Sequence, residues 1–540
     1  MNFKHPIFLA LLSGLLFGLS WPETGGFTFL IFFSFLPLLY LEKQVEGTEA
    51  ETTKNRFFKL FPYTYLAFFI WNLIATWWIK NASWGGAAMA IFFNSLFMAV
   101  VFQLFHRVKR RLNGRFAFLV LCSFWMAFEY LHQRWDLSWP WLTLGNVFAG
   151  SPWMIQWYEY TGVFGGTGWI FAVNFLVFSL LQKTVWQGRK SRRGAIAALS
   201  CVMLFPLLAS FLLTFRILDF YKGGSQQVVI VQPNIDPYNE KFNGSFKEQL
   251  NKMLELAETQ LDSFTSLVSF PETALTENLW ENNLEKTYSV QALKAFQKRH
   301  PKLDILIGAT SAYQYQPGET PSATARKFTD AEEYYDDFNT AIFLSGNDSV
   351  RKYHKSKFVP GVERMPFPAF FKPLEKLAIN MGGTTGSLGE QPERTVFFSK
   401  SNSLKIAPVI CYESVYGEFV NEYVLKGANI ICIITNDGWW GDSPGYKQHL
   451  DYARLRAIET RRPVTRSANT GTSCFIDKWG AVSQRTPWWK PIAIKVNVHP
   501  NTELTFYVRH GDYIGRAAVF IAFCLLGYSF LLRFRRKEKP

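Results

Sequence analysis

Charge is scarce in this sequence. Asp, Glu, Lys and Arg make up 18% of its 540 residues, against about 25% in a typical soluble domain. A disordered chain needs the opposite bias, so extended disorder is excluded. Cysteine is also sparse, at six residues. Cys122, Cys201 and Cys524 fall in apolar runs, and Cys411, Cys432 and Cys474 in the central region, so a disulfide framework is excluded. Three thiols in an oxidising compartment cannot all pair with one another, which leaves at least one free or bonded elsewhere. Walker loops, GxGxxG fingerprints and internal repeats are missing, and no cofactor is expected. His354 and His449 stand alone and no His/Cys cluster has ligand spacing, so no metal site is expected.

Apolar and aromatic residues are abundant instead: 49% hydrophobic, 17% aromatic and 52 Phe. Apolar runs lie at about 6–21, 27–41, 62–79, 84–105, 116–132, 167–181, 194–214 and 515–532. Crossing a hydrocarbon core of about 30 Å takes about 20 residues, and shorter runs need help from their flanks. From about 222 to 510 no run is long enough. The expected architecture is therefore about eight transmembrane helices around one water-soluble domain. Residues 1–221 carry seven spans, 222–510 the soluble domain, and 511–540 the eighth span and a basic tail. Residues 6–21 also have the outline of a signal peptide. However, Leu19-Ser20-Trp21-Pro22 is not a small-x-small cleavage site.

The net charge of +15 is compatible with nucleic-acid binding or with basic inner loops of a membrane protein. Its distribution decides. With eight spans and an inside N-terminus, the inner segments 1–5, 42–61, 106–115, 182–193 and 533–540 hold twenty Lys/Arg, against two in the short outer loops. This positive-inside asymmetry expects both termini in the cytoplasm and the 222–510 domain outside, in the periplasm of a Gram-negative cell. Twenty basic residues less five glutamates leave those segments with the whole +15, so no nucleic-acid partner is expected.

The outer loop 133–166 is rich in Trp and Tyr, which suit an interfacial belt or a wall of a lipid site. Glu129 lies near the end of the fifth run. A carboxylate there is costly and is a functional candidate, unless it reaches water at the span's edge.

The central region alternates short apolar strands with amphipathic helices, so its class is α/β or α+β. Strands are predicted at 228–231, 267–270, 305–307, 406–410, 430–434 and 473–476, and helices at 245–262, 288–299 and 448–460. Three segments place a reactive side chain where a strand leaves the core, a rigid position open to a cleft. They are Val268-Ser269-Phe270-Pro271-Glu272, Tyr353-His354-Lys355 and Ile406-Ala407-Pro408-Val409-Ile410-Cys411-Tyr412-Glu413. Taken singly, each has an ordinary reading as a turn, a solvated lysine or a small core cysteine.

Together they resemble the Glu–Lys–Cys triad of the nitrilase, or carbon–nitrogen hydrolase, superfamily, in the same order. A nitrilase-like domain between the seventh and eighth spans resembles the apolipoprotein N-acyltransferases. Trp141-Leu142-x-Leu144-Gly145, Val231-Gln232-Pro233-Asn234-Ile235 and Thr435-Asn436-Asp437-Gly438-Trp439-Trp440-Gly441-Asp442-Ser443 are similar to that family as well. Two departures stand out. Phe358-Val359-Pro360-Gly361-Val362-Glu363 replaces the family's Leu-Val-Pro-Phe-Gly-Glu, and Lys241-Phe242 lie where a tryptophan is usual.

The resemblance implies an α-β-β-α sandwich for the outer domain. It implies acyl transfer from a membrane phospholipid to the N-terminal amine of a diacylglyceryl apolipoprotein, by a monomer in the inner membrane. Cys411 is the implied nucleophile, Glu272 the general base and Lys355 the stabiliser of thiolate and oxyanion, with the Tyr412 N–H as a second donor. Glu363 is expected to orient Lys355 or to assist proton transfer, and Tyr412 and Glu413 to support the nucleophile turn. Trp439, Trp440, Phe242, Trp141 and Glu129 are the candidate lipid or substrate contacts. Two other readings are a membrane-tethered amidase, which uses the same triad, and a transporter whose outer domain only binds.

Overall fold

The computed structural model describes residues 5–50, 59–114, 116–182, 189–217, 224–346, 349–367 and 387–537. The boundary expected at 221/222 and the basic residues Lys4, Lys54, Arg56, Arg115, Lys183 and Lys539 lie outside them. The chain divides into two compact units. One comprises Met1–Lys80, Trp84–Ile217 and His510–Pro540, and the other Asn81–Ser83 and Leu218–Arg509.

In the first unit every apolar run is helical. The helices are α1 (Pro6–Ser20), α2 (Leu36–Ala50), α3 (Phe61–Thr76), α4 (Trp84–Arg111), α5 (Ala117–His132), α6 (Tyr158–Leu181) and α7 (Arg189–Ile217), with a C-terminal helix Tyr513–Lys537. Among the described residues, five segments are both long and apolar enough to cross a membrane: Thr28–Glu46, Trp84–Arg111, Tyr158–Leu181, Arg192–Phe215 and Tyr513–Leu532. Five of the eight expected spans thus meet both criteria on their own. At about 1.5 Å per residue, α1, α3 and α5, with 15, 16 and 16 residues, fall short of the core thickness. Part of the apolar sequence goes into 3₁₀ turns, such as Trp77–Asn81 after α3. Phe205, Phe211, Phe215, Phe520 and Phe523 are exposed along α7 and the C-terminal helix. Apolar faces of this extent suit lipid rather than water.

Two buried polar side chains inside this unit are held by several partners each. Asn174 of α6 donates from Nδ2 to the Ile31 carbonyl and accepts from the Phe35 N–H, both at 3.0 Å. Glu129 does not reach water. It is buried, and its carboxylate accepts from Trp125 Nε1 at 3.0 Å, the Leu144 N–H at 2.7 Å and Thr167 Oγ1 at 2.9 Å. It thereby ties α5 to α6 and to the turns of the 140s. Trp141 is 1% exposed and packs against Trp78 and Trp139. Its ring is part of the packing of this unit.

The second unit is a two-sheet sandwich. Its strands are β1 (Gln226–Gln232), β2 (Thr265–Ser269), β3 (Leu275–Trp280), β4 (Asp304–Gln314), β5 (Arg326–Lys327), β6 (Tyr334–Leu344), β7 (Arg351–His354), β8 (Phe397–Phe398), β9 (Lys405–Ile410), β10 (Ile430–Thr435), β11 (Val464–Ala468), β12 (Cys474–Ile476), β13 (Val482–Ser483) and β14 (Ile492–Val498). One sheet has the order β14-β1-β2-β4-β6-β5, with β3 on β4 and β7 on β6; the other runs β13-β12-β11-β10-β9-β8. β1, β2 and β4 are parallel neighbours, as are β9, β10 and β11. Such strands need both faces covered. Helices α8 (Phe246–Glu258) and α9 (Tyr288–Arg299) cover the first sheet, burying Leu250, Met253, Val290, Leu293 and Phe296 on it. Helices α10 (Gly417–Leu425) and α11 (Pro444–Thr460) cover the second. The inner faces meet where Ser467 Oγ of β11 donates to the Val231 carbonyl at 2.9 Å.

Candidate active site

Three strand ends converge. β2 stops before Phe270-Pro271, and the chain turns sharply at Glu272-Thr273, with Thr273 at φ +45°. β4 passes so close that a Cβ on Gly308 would lie 2.6 Å from the Glu272 Cα. Only glycine leaves room for the turn there. Lys355 directly follows β7, and its N–H is held by the Asn339 carbonyl of β6 at 2.8 Å. Cys411 directly follows β9 and adopts φ +49°, a strained conformation for a residue with a side chain.

The side chains form one buried array. Lys355 Nζ donates to Glu272 Oε1 at 2.9 Å and to Glu363 Oε1 at 2.6 Å, and the lysine is 1% exposed. Asn339 Nδ2 donates to Glu272 Oε1 at 2.7 Å, and the Asn436 N–H to Glu272 Oε2 at 3.1 Å. Glu363 is fixed from its other oxygen by the Val359 N–H at 2.9 Å. The altered loop therefore still presents Glu363 to Lys355, with Gly361 at φ +76° making its turn.

Glu413 braces the Cys411 turn. Its Oε2 accepts from the Ile410 N–H at 2.8 Å, and its Oε1 from Tyr353 Oη at 2.8 Å and the Ser356 N–H at 2.7 Å. One carboxylate thus ties the cysteine turn to the lysine segment. Tyr412 is buried and meets Tyr416 edge-on at 5.3 Å.

Burial acts to raise the Glu272 carboxyl, but Lys355 beside it, together with Asn339 and Lys241, holds it below the usual carboxylate range. Burial opposes the charge on Lys355 too, yet Glu272 and Glu363 push its ammonium well above the ordinary value. The Cys411 thiol is pushed up, first by burial and then by the Glu272 charge, with Lys355 acting against both. A cysteine in this setting rests as a thiol and needs a base at the moment of attack.

Cys432 and Cys474 are free, buried thiols, raised by burial to about 12 and about 11. Cys432 lies inside β10, and Cys474 opens β12. Among the described residues no group of three or more His, Cys, Asp or Glu side chains is placed to hold a metal ion.

Sequence reading missed several members of the array. Asn339 is one; a single amide in an apolar strand carries no local signal. Lys241 is another. Its buried Nζ donates to the Glu272 carbonyl at 3.2 Å and to Thr273 Oγ1, pinning the left-handed turn. Burial lowers its ammonium to about 8, with Glu272 and Cys411 drawing it back up. Neither histidine stands alone. His354 Nε2 meets Glu281 Oε1 at 2.7 Å while its ring stacks on Phe338, and His449 joins Asp437, Ser414 and the Cys411 carbonyl.

Of the lipid-contact candidates, three adjoin the array. Phe242 follows Lys241. Trp439 and Trp440 end the turn that opens at Asn436, and Trp439 meets Tyr238 edge-on at 5.0 Å. Trp141 and Glu129 belong to the helical unit.

The sequence profile of the carbon-nitrogen hydrolase family matches residues 227–502, and that of the apolipoprotein N-acyltransferase N-terminal domain matches residues 13–176. The chain is 32% identical over 528 residues to the apolipoprotein N-acyltransferase of Chlorobaculum tepidum, covering 96% of this chain and 95% of that one. It is 26% identical to those of Geobacter metallireducens (99% and 96% covered) and Thermotoga maritima (96% and 92%). With both parts matched and the likeness running end to end, the chain belongs to the apolipoprotein N-acyltransferase family.

Proposed function

We propose that this acyltransferase moves a fatty acyl chain from a membrane phospholipid to the α-amino group of an N-terminal diacylglyceryl-cysteine, through a thioester on Cys411. The observation that carries the reading is the buried Glu272–Lys355–Glu363 contact set facing a cysteine on a strained strand-end turn. Glu272 takes the thiol proton as Sγ attacks the ester carbonyl. The tetrahedral oxyanion is met by the Lys355 ammonium and the Tyr412 N–H. Collapse breaks the ester bond, and Glu272 returns the proton to the departing lyso-lipid oxygen. The acceptor amine then attacks the thioester, Glu272 takes a proton from it, and the thiol is regenerated. Glu363 and Asn339 keep Lys355 and Glu272 in place throughout.

Both substrates are lipids, which explains a catalytic domain joined to apolar helices. Drawing a sixteen-carbon chain into water at about 0.8 kcal/mol per CH₂ costs more than ~10 kcal/mol. Phe242, Trp439 and Trp440 are the proposed apolar mouth that receives the chain and keeps water from the thioester. Eight crossings, with the shorter helices completed by their flanks, put both termini in the cytoplasm and the catalytic domain, 222–510, in the periplasm. The enzyme acts as a monomer.

The test uses purified enzyme, phosphatidylethanolamine with a labelled acyl chain and a diacylglyceryl-cysteinyl peptide. The expected product is the labelled N-acyl peptide, with double-reciprocal plots that are parallel, as a covalent intermediate requires. Ammonia release from small amides without acyl transfer would overturn the reading in favour of an amidase.

A further inference from the structure

A second buried network lies behind the nucleophile and takes no part in the proton transfers above. His449 of α11, Asp437 and Arg466 are each at most 1% exposed. His449 Nε2 lies 3.1 Å from the Cys411 carbonyl oxygen and 2.9 Å from Ser414 Oγ. Ser414 Oγ donates to that same carbonyl at 2.7 Å. A carbonyl oxygen only accepts, so a stable contact requires the proton on Nε2. Across the ring, Nδ1 is 3.1 Å from Asp437 Oδ1 and 3.2 Å from Arg466 Nη2. Asp437 is held in turn by Arg466 and by Thr435 Oγ1 at 2.9 Å. The Trp440 ring meets the imidazole edge-on at 5.6 Å. The ring is therefore fixed from three sides, with its protonated edge on one backbone oxygen.

That oxygen belongs to the peptide whose direction matters most. Cys411 at φ +49° is in a conformation that persists only when its surroundings impose it. The Cys411–Tyr412 peptide is trans and planar, so its C=O and N–H point in opposite directions. Holding the carbonyl toward His449 and Ser414 turns the Tyr412 N–H to the other side of the turn. An N–H that follows a nucleophile can meet the oxyanion only if its direction is set before the charge develops.

We propose that His449, backed by Asp437 and Arg466, is the positioning residue that aims the Tyr412 N–H as an oxyanion donor. The inference rests on the reading of Cys411 as nucleophile. It predicts a split between two reactions of one thiol. Acylation by an ester passes through a tetrahedral oxyanion. Alkylation by iodoacetamide forms the S–C bond as iodide leaves a saturated carbon, and makes no oxyanion.

The experiment measures both rates at Cys411 in the full-length enzyme, for the wild type, His449→Leu, His449→Gln and Ser414→Ala. Acylation by labelled phosphatidylethanolamine is read by mass. His449→Leu should slow acylation roughly 10–100-fold, toward the loss seen on removing one oxyanion donor, with alkylation within about twofold. His449→Gln, which can still present an N–H to the carbonyl, should recover most of the acylation rate. Ser414→Ala, a smaller change, should show the same split more weakly, and it serves as the deciding variant if His449→Leu does not fold. Unchanged acylation in the variants, or an equal fall in both reactions, overturns the proposal. A wild type that alkylates but never acylates at Cys411 overturns the nucleophile reading, and this inference with it. A wild type that acylates no faster than His449→Leu overturns this inference alone.

Discussion

Each unit buries a glutamate, and the two acids differ in what surrounds them. Glu129 in the helical unit is met by three neutral donors, from an indole, a backbone amide and a hydroxyl. Glu272 in the sandwich is met by the Lys355 ammonium, the Asn339 amide and the Asn436 N–H, with Cys411 in its field. Burial alone therefore does not mark a catalytic acid. The first carboxylate joins helices and turns into one packed body. The second is held charged, with the Cys411 thiol in its field. The cation and the nucleophile make the difference, and both arrive from distant strand ends.

Substitutions can break that contrast, the largest effect coming from the acid itself. Glu272→Gln keeps the shape and most hydrogen bonds but removes the proposed base. Its acylation rate in a single-turnover assay should fall roughly 10³-fold, within the range for general base catalysis. Lys355→Met should come next, because it leaves Glu272 with neutral donors, as Glu129 has. Burial then dominates and the Glu272 value rises. In the wild type the base is charged above its lowered value, and activity is lost as pH falls through it. The acid limb of the pH–rate profile should move to higher pH in Lys355→Met. An unmoved limb would show that Lys355 does not set the charge on Glu272.

Glu129→Leu sharpens the comparison from the other side. It strands three buried donors, at about 1–3 kcal/mol for each unsatisfied group. The helical unit should lose thermal stability and resistance to protease in detergent, while the iodoacetamide rate at Cys411 stays within about twofold. The smallest effect is expected from replacing Trp439 and Trp440 together with Ala. Turnover of long-chain phospholipid should fall several-fold more than turnover of a short-chain ester, by an amount that reflects apolar area removed from water. Equal losses on both would remove these rings from the lipid mouth.

The sequence makes one part of this architecture much clearer than the other. Glu272, Cys411 and Glu413 could be read because each sits at or beside the end of a short apolar strand, whereas Lys355 follows the polar strand Arg351–His354 and was legible by its Tyr-x-Lys spacing within the resemblance. Glu363 was legible only by its distance from Lys355, since its loop is unusual. Asn339, Lys241 and His449 gave no such cue. Each is a single polar residue in a strand, a turn or a helix, and its partner lies 31 to 67 positions away. Contacts at that range depend on sheet order, which local periodicity does not report. The helical unit shows the same limit. All of the apolar runs became helices, but 3₁₀ turns shortened some of them, and the partners of Glu129 come from three separate elements.

The central claim is that Cys411 carries the acyl group between donor and acceptor. Intact-protein mass spectrometry after incubation with phosphatidylethanolamine, with no acceptor present, tests it most directly. One added acyl mass is expected on Cys411, released by neutral hydroxylamine, chased onto added diacylglyceryl-cysteinyl peptide and absent in Cys411→Ala. An adduct that persists in Cys411→Ala, or N-acyl peptide formed at full rate by that variant, would contradict it.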